Sequence, residues 1–576
     1  MIPPDPRTLL LASGLDDISV GALLRPYGFI DYRRADANLQ ALADDPGTRQ
    51  RLADLLEALL QALAGSADPD QALDYLERFA KAGGGKAALF SYLKTSPAAL
   101  NLLATVFGAS PFLSQILIRN PEYLHWVTRT EILKRGRTRS ELAGDLRVSL
   151  LALRSKERRL DALRRFKRRE LLAVGVRDLL GLASVEQTTI DLSILSEVLI
   201  QQVYLVCRES LAERYGLPTS GFTVLAMGKL GGGELNFSSD VDLIYICGAD
   251  TGTTKGITRG GRSSRLPHAS YFRQLSQDVT QALSDVTNEG YLFRVDLRLR
   301  PEGKSGEIVA SLSRMRGYYR GLILHPAVSP SPPRVRRDGR FPRGPGAVSS
   351  REVPAKRRLD KRVPARAQPW ERLAHIKASP IAGDKALGRR FLTMMQPFVY
   401  QASHAGSPEV LLAEVRRIKR LIDEKMTGRG ESQRNVKLGI GGIREIELVV
   451  QTLQAVFGHA RPAIRERNTI KALNKLRRAR LISAEEHRVL LEGYRFLRNV
   501  EHKLQMVEEQ QTHTLPADPM ELRRCALRLG YRDGEEGKAM DQFLRDQDHW
   551  TSRVHEIFTR TITGARFVGA ISARGR

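Results

Sequence analysis

A change of periodicity near the middle of the chain limits what the whole can fold into. Phe222 to Met227 is an apolar run of strand length, Gly228-Lys229-Leu230-Gly231-Gly232-Gly233 is a turn, and Asp240-Val241-Asp242 opens a second apolar run that ends at Cys247. Side chains i and i+2 of a strand share a face, so Asp240 and Asp242 project together, about 7 Å apart. Carboxylates this close repel unless a proton or a cation lies between them. A hard cation such as Mg²⁺ takes carboxylate and phosphate oxygens alike, so the segment reads as a candidate phosphoryl- or nucleotidyl-transfer centre. Gly228 and its neighbours give a phosphate close access to backbone N–H groups, and Lys229 adds a point charge. The Gly-x4-Gly-Lys-Ser/Thr spacing of a Walker A loop is absent. Ser238 and Ser239 stand directly before the aspartates as hydroxyl donors to the same phosphates.

A third acid follows in order. From Leu292 to Arg300 the chain alternates, with Phe293, Val295, Leu297 and Leu299 on one face and Arg294, Asp296, Arg298 and Arg300 on the other. This predicts a strand with one buried and one polar face. Asp296 is the natural third carboxylate of a two-metal centre, and Arg298 and Arg300 are placed to hold phosphate oxygens. Each feature alone is ordinary: an Asp-x-Asp at a strand end is commonly a turn or a cap, and an Asp among arginines is commonly a solvated pair. Their succession within about 70 residues is what points to chemistry.

The remainder is helical. Arg51 to Leu63 carries Leu52, Leu55, Leu56, Leu59 and Leu60 in an amphipathic stripe, and similar stripes cover Leu160 to Leu182 and Ile190 to Tyr215. Phe272, Leu275, Val279 and Leu283 mark another helix, after a Gly/Thr/Ser/Arg-rich stretch at 248–268 that reads as a mobile loop. Residues 321–369 hold nine prolines and twelve Lys+Arg against three Asp+Glu, with little apolar periodicity, so disorder is expected there. Helical periodicity resumes at Trp370, and Ser483-Ala484-Glu485-Glu486 is a capping box. A second site-like run, Lys437 to Gln451, places Arg444, Glu447 and Gln451 on one face of a helix that starts after Gly441-Gly442. Read bluntly this is an Arg–Glu surface pair; read functionally, it presents a helix start and Arg444 to a nucleotide or a protein substrate.

At 576 residues the chain exceeds one ordinary core. The reading is α+β, predominantly helical: a helical region at 1–220, a catalytic core at 221–320, the Pro/Arg-rich insert at 321–369, a helical return to the catalytic domain at 370–430 and a helical bundle at 431–576. Three scattered cysteines argue against a disulfide framework or a zinc site. No signal peptide or uncharged membrane-length run is legible, so a cytoplasmic location is expected. The net charge of +27 favours nucleic acid, nucleotides or an acidic protein partner, although +9 of it comes from residues 321–369.

These residues resemble the glutamine synthetase adenylyltransferase/deadenylylase family. The likeness rests on Met227 to Gly232 with Asp240-Val241-Asp242-Leu243, on Phe293 to Pro301, on Trp370-Glu371-Arg372 with Ile376-Lys377-Ala378, and on Gly441 to Glu447. Looser matches at Ser110 to Leu113 and from Tyr494 to His502 extend it over most of 75–510. The resemblance implies a small mixed sheet of the DNA polymerase beta-like nucleotidyltransferase type, flanked by helices, with Asp240, Asp242 and Asp296 as the metal-binding acids. It implies Mg²⁺, with ATP or ADP and phosphate as substrates, glutamine synthetase as protein substrate, and a PII-type signalling protein and glutamine as effectors. Members of the family carry two such catalytic halves. One motif set is present here, and the wording from Gly233 to Ser239 looks more like the N-terminal, deadenylylating half. The 50 residues between Tyr319 and Trp370 depart from the family; their Pro/Arg bias matches an out-of-frame stretch of a GC-rich gene. The competing readings are a nucleotidyltransferase of the same fold acting on RNA or a small molecule, and a basic helical binding protein with an inert acidic triad. The ordered acids make nucleic acid the weaker partner.

Overall fold

Helical stripes dominate the N-terminal third, and they fold as stripes should. Leu52, Leu55, Leu56, Leu59 and Leu60 are all buried on the helix Pro46–Ala64, whose N-cap Asp45 accepts from the Thr48 N–H. The computed structural model describes residues 5–12, 14–259, 262–324, 368, 370–400 and 408–564; most of the expected disordered insert therefore lies outside the described residues. Successive helices lead to α1 (Lys156–Leu179) and α2 (Val185–Tyr215), which pack against each other. By length and composition α2 is apolar enough to cross a membrane. Yet 67% of its most apolar window is buried within the protein, and its Asp191 is paired with Arg177 at 2.5 Å. It is a core helix here.

Five short strands form one mixed sheet: β1 (Phe222–Ala226), β2 (Val241–Cys247), β3 (Val295–Asp296), β4 (Val309–Ser311) and β5 (Ser379–Gly383). On one side β2 pairs antiparallel with β1, from Phe222↔Cys247 to Ala226↔Leu243. On the other it pairs in parallel with β3 at its start and with β4 at its end. β5 closes the far edge against β1, with a bulge opposite Val224/Leu225 where Pro380 withholds an N–H.

The two faces of this sheet enter different cores. Val224, Ala226, Leu243, Tyr245 and Cys247 join the helices before the sheet. Leu225, Met227, Ile244 and Ile246 join those after it. A sheet covered on both faces explains why its strands read as continuous apolar runs. The later layer comprises α3 (Ile443–Phe457), α4 (Thr469–Arg478), α5 (Ala484–Glu508), α6 (Pro519–Arg528) and α7 (Ala539–Ile562). α5 begins with the expected capping box, the Ser483 and Glu486 side chains bonding reciprocally to each other's backbone N–H. The architecture is α+β and mainly helical, as the periodicities imply.

Several local expectations change. The strand expected over 292–300 shrinks to Val295–Asp296. Leu292 and Phe293 N–H groups both donate to the Leu283 carbonyl, and beyond Asp296 its carboxylate captures the Arg298 N–H at 2.8 Å and turns the chain. The glycine turn is a single helical turn, Gly228–Gly232, ended by left-handed Gly233. The stretch 248–268 carries a short hairpin, Thr258–Arg259 with Arg262–Ser263. The segment 370–430, read as helical, contributes strand β5 as well. The polar face expected on α3 is mostly covered: Glu445, Glu447 and Gln451 are buried, and Arg444 stays partly exposed.

Those buried polar groups form the joint between the sheet and the later helices. Lys377, just before β5, donates to Glu234 at 2.5 Å and to Glu447 of α3 at 2.7 Å. Glu234 also accepts from the N–H of Thr469, at the start of α4, at 2.9 Å. Lys377→Met strands two buried carboxylates and is expected to cost about 3–5 kcal/mol, read as a lower urea midpoint. Arg417→Met, at an exposed pair with Glu414, should shift it by less than about 1 kcal/mol. Equal midpoints for the two variants would contradict this role for Lys377.

Candidate active site

The three acids of the sequence reading arrive at one end of the sheet. Asp240 and Asp242 flank the first residue of β2, and Asp296 ends β3; Asp242 and Asp296 are direct partners across the parallel pair. Neighbouring strands lie about 4.8 Å apart, so two carboxylates stand side by side with the third one i−2 away. Arginines hold the outer two. Arg294 Nε donates to Asp240 Oδ1 at 2.9 Å and its Nη1 to the Tyr291 hydroxyl at 2.9 Å. Arg298 Nε reaches both oxygens of Asp296, at 3.0 and 2.8 Å. Among the described residues no hydrogen bond or ion pair reaches the Asp242 carboxylate.

The electrostatics follow from that arrangement. Burial, then the Asp296 charge, pushes Asp242 up to about 6; the Lys437 ammonium pulls against this, and Asp240 adds to it. Burial also raises Asp296, but the side-chain and backbone bonds from Arg298 outweigh it and hold this carboxyl below its usual range. Gly228, at φ 53°, lies under Asp242: a Cβ there would sit 2.4 Å from Oδ2. Any side chain at 228 would collide with the carboxylate, so this glycine is required by close approach as well as by backbone conformation.

The remaining predicted residues are placed as follows. Ser238 Oγ donates to the Glu509 carbonyl and accepts from Arg294 at 3.0 Å. Ser239 Oγ is buried without a partner among the described residues, a hydroxyl left over beside the acids. Arg300 is spent on the carbonyls of Leu297, Lys304 and Gly306, which fasten the turn after β3. Lys229 turns away from open space and donates to Glu501 of α5 at 2.6 Å. Arg444 pairs with Glu447 at 3.3 Å; with Glu447 held by Lys377 and Gln451 buried beside it, this face of α3 serves the joint.

Sequence reasoning passed over the group beneath the acids. Glu501 is fully buried and accepts from Lys229, from Asn236 Nδ2 at 2.6 Å, from Arg498 at 2.8 Å and from His513 at 3.0 Å. Burial would raise its pKa, but these neighbours, Lys229 first, hold it well below the usual carboxylate range. Lys437, whose ammonium acts on Asp242 and lies 3.4 Å from His513 Nε2, completes the ring. Lys437 opened the run at 437–451 and Glu501 stood within the looser match from Tyr494 to His502, so both were visible; nothing in their local spacing ties them to Asp242.

The donor set suits a hard divalent cation: carboxylate oxygens on adjacent strands, an unpaired central carboxylate and a spare hydroxyl. Among the described residues no three acidic, histidine or cysteine side chains form a ready-made cage; Arg294 and Arg298 occupy the two outer carboxylates. Asp242, Asp296 and Asp240 are the residues that would hold the ion. In the ion-free chain the raised Asp242 binds its proton more tightly folded than unfolded. Stability therefore falls as pH rises from about 4 through about 6 and stays reduced above that. Asp242→Asn is expected to raise the metal-free Tm at pH 7.5, by an amount on the order of 1–3 kcal/mol in stability, and to leave it unchanged at pH 4. Mg²⁺ should raise the wild-type Tm and not the variant's. A variant that melts lower than wild type at pH 7.5 would contradict this.

Known proteins match over the same regions. The sequence profile of the glutamate-ammonia ligase adenylyltransferase family matches residues 100–322, and that of the GlnD PII-uridylyltransferase family matches 416–562. A bifunctional glutamine synthetase adenylyltransferase/adenylyl-removing enzyme of Nitrosococcus oceani is 32% identical over 461 residues, 78% of this chain and 42% of that protein. The similarly named enzyme of Shewanella loihica is 30% identical over 80% of this chain and 42% of its own length. That of Stenotrophomonas maltophilia is 34% identical over 62% and 33%. The chain thus spans about two fifths of the length of the first two relatives.

Proposed function

The chain belongs to the glutamate-ammonia ligase adenylyltransferase family, and we propose that its acidic cluster moves an adenylyl group between a nucleotide and a tyrosine of glutamine synthetase. The observation that carries this is the pairing of Asp242 with Asp296 at the sheet end, with Asp240 beside them. Mg²⁺, held by these carboxylates, would neutralise phosphate charge and polarise the phosphorus under attack. The chain's own groups prepare that site. Asp242 is a carboxylate above about pH 6, Arg294 fixes Asp240, and Gly228 leaves room for the acid. Arg298, with its side chain 67% exposed, is the guanidinium open to an incoming phosphate, and Lys437 brings an ammonium from the later layer.

One motif set supports a single catalytic half, and the wording of Gly233 to Ser239 supports the removing direction. Inorganic phosphate oxygen bonds to the adenylyl phosphorus, the phosphorus–tyrosine oxygen bond breaks, and the phenolate takes a proton, giving ADP and free tyrosine. In the transfer direction a tyrosine oxygen attacks the α-phosphorus of ATP and pyrophosphate leaves. The match at 416–562 to a family named for a PII protein supports a PII-type protein as effector, with glutamine as the second.

Full-length chain incubated with adenylylated glutamine synthetase, Mg²⁺ and phosphate is expected to release ADP, and EDTA to stop it. Asp296→Asn should lower the rate by about a thousandfold or more, and Lys437→Met by about tenfold to a hundredfold. ADP release that survives Asp296→Asn, or its absence from the wild type, would overturn the reading.

A further inference from the structure

α5 has two working faces. Tyr494, Arg498 and Glu501 point toward the glycine turn and the acids. Arg495, Asn499 and Lys503, spaced i, i+4, i+8, share the opposite face. That second face is one wall of a cleft of about 480 Å³, closed by the start of α2 at Ser184-Val185, by Arg528 at the end of α6 and by Trp550 of α7. The size is that of a small-molecule site.

Three cations and three carboxylates meet around the cleft, but they pair unevenly. Arg495 is matched by Glu186 and Glu492 at 2.5 and 2.8 Å, and Lys503 by Asp178. Arg528 is matched by nothing: among the described residues no carboxylate or carbonyl pairs with it, and its Nε is buried without a partner. Burial lowers its pKa by more than the nearby Glu521 and Asp68 carboxylates raise it. The Asn499 amide likewise has no partner among the described residues. The 31-residue helix α2 starts at the same wall, where the Ser184 hydroxyl caps the Gln187 N–H and the N–H groups of Val185 and Glu186 have no intrahelical acceptor. A recessed guanidinium, a free amide and a helix start around one cavity share a single complement.

We propose that this cleft is a binding site for a small carboxylate- or phosphate-bearing anion, with Arg528 as its charge receptor and Asn499 as a second donor. It lies on the far side of α5 from Asp242 and is independent of the chemistry proposed there. Arg528, at a helix end and remote from the β2–β3 edge, has no part in the acidic cluster.

The test uses the full chain in EDTA, so that the acidic cluster has no divalent ion with which to take phosphate. Inorganic phosphate and succinate are titrated separately at constant ionic strength set with chloride, reading Tm and tryptophan fluorescence in a chain where Trp126 and Trp370 are changed to Phe, leaving Trp550. A saturable change with phosphate alone assigns a phosphate ligand; with succinate alone, or with both, it assigns a carboxylate-tolerant site. In Arg528→Gln the response should need about tenfold more anion or more, and Asn499→Ala should weaken it less. Anion-free Arg528→Gln should melt no lower than wild type, since it loses an unpaired charge. No saturable response to either anion beyond that of chloride, or an undiminished one in a folded Arg528→Gln, overturns the proposal.

Discussion

Two negative charges held side by side on paired strands are the condition to which the rest of the molecule answers. The register that sets Asp242 against Asp296 is unfavourable by itself. It persists because the strands carrying the acids have no freedom to part. β2 has Val241, Leu243, Tyr245 and Cys247 in one core and Ile244 and Ile246 in the other, so a slip by one residue would exchange every side chain between the two. Burial first, and this repulsion second, raise the proton affinity of Asp242; arginines clamp its neighbours, and the backbone keeps its register.

The second layer of the design is a run of buried ions below the acids. Lys377 joins Glu234 of the glycine turn to Glu447 of α3, and Arg498 and Glu501 of α5 reach the same turn through Glu234 and Asn236. Such groups add little net stability over an apolar core but strongly disfavour any arrangement that separates them. They fix the angle at which the later helices meet the sheet. Lys437 reaches Asp242 only because of that angle, so the helical layer is a working part of the site.

Much of this was legible in the residues. The glycine turn, the Asp-x-Asp strand and the third aspartate announced the sheet end and its acids, and the leucine stripes announced the helices. What escaped was set by partners far away in sequence. Lys229 beside a glycine turn reads as a phosphate donor, but a fully buried glutamate 272 residues later claims it. Arg300 reads as a phosphate clamp and is consumed by three carbonyls of its own turn. The alternation from 292 to 300 promised a long strand, whereas an Asp296 side chain that bonds Arg298 N–H ends it after two residues. Arg444-x-x-Glu447 had the spacing of a surface pair, and only the arrival of Lys377 from the sheet edge draws its glutamate into a buried joint.

Metal binding by the ion-free chain is the most direct measurement. Free Mn²⁺ can be counted by electron paramagnetic resonance as the protein is titrated at pH 7.5 and at pH 5. The account predicts saturable binding at pH 7.5 that weakens about tenfold or more at pH 5, where the Asp242 proton competes, and that disappears when Asp242 and Asp296 are both changed to Asn. Binding indifferent to pH and to both substitutions would show that the paired carboxylates are not the cation site.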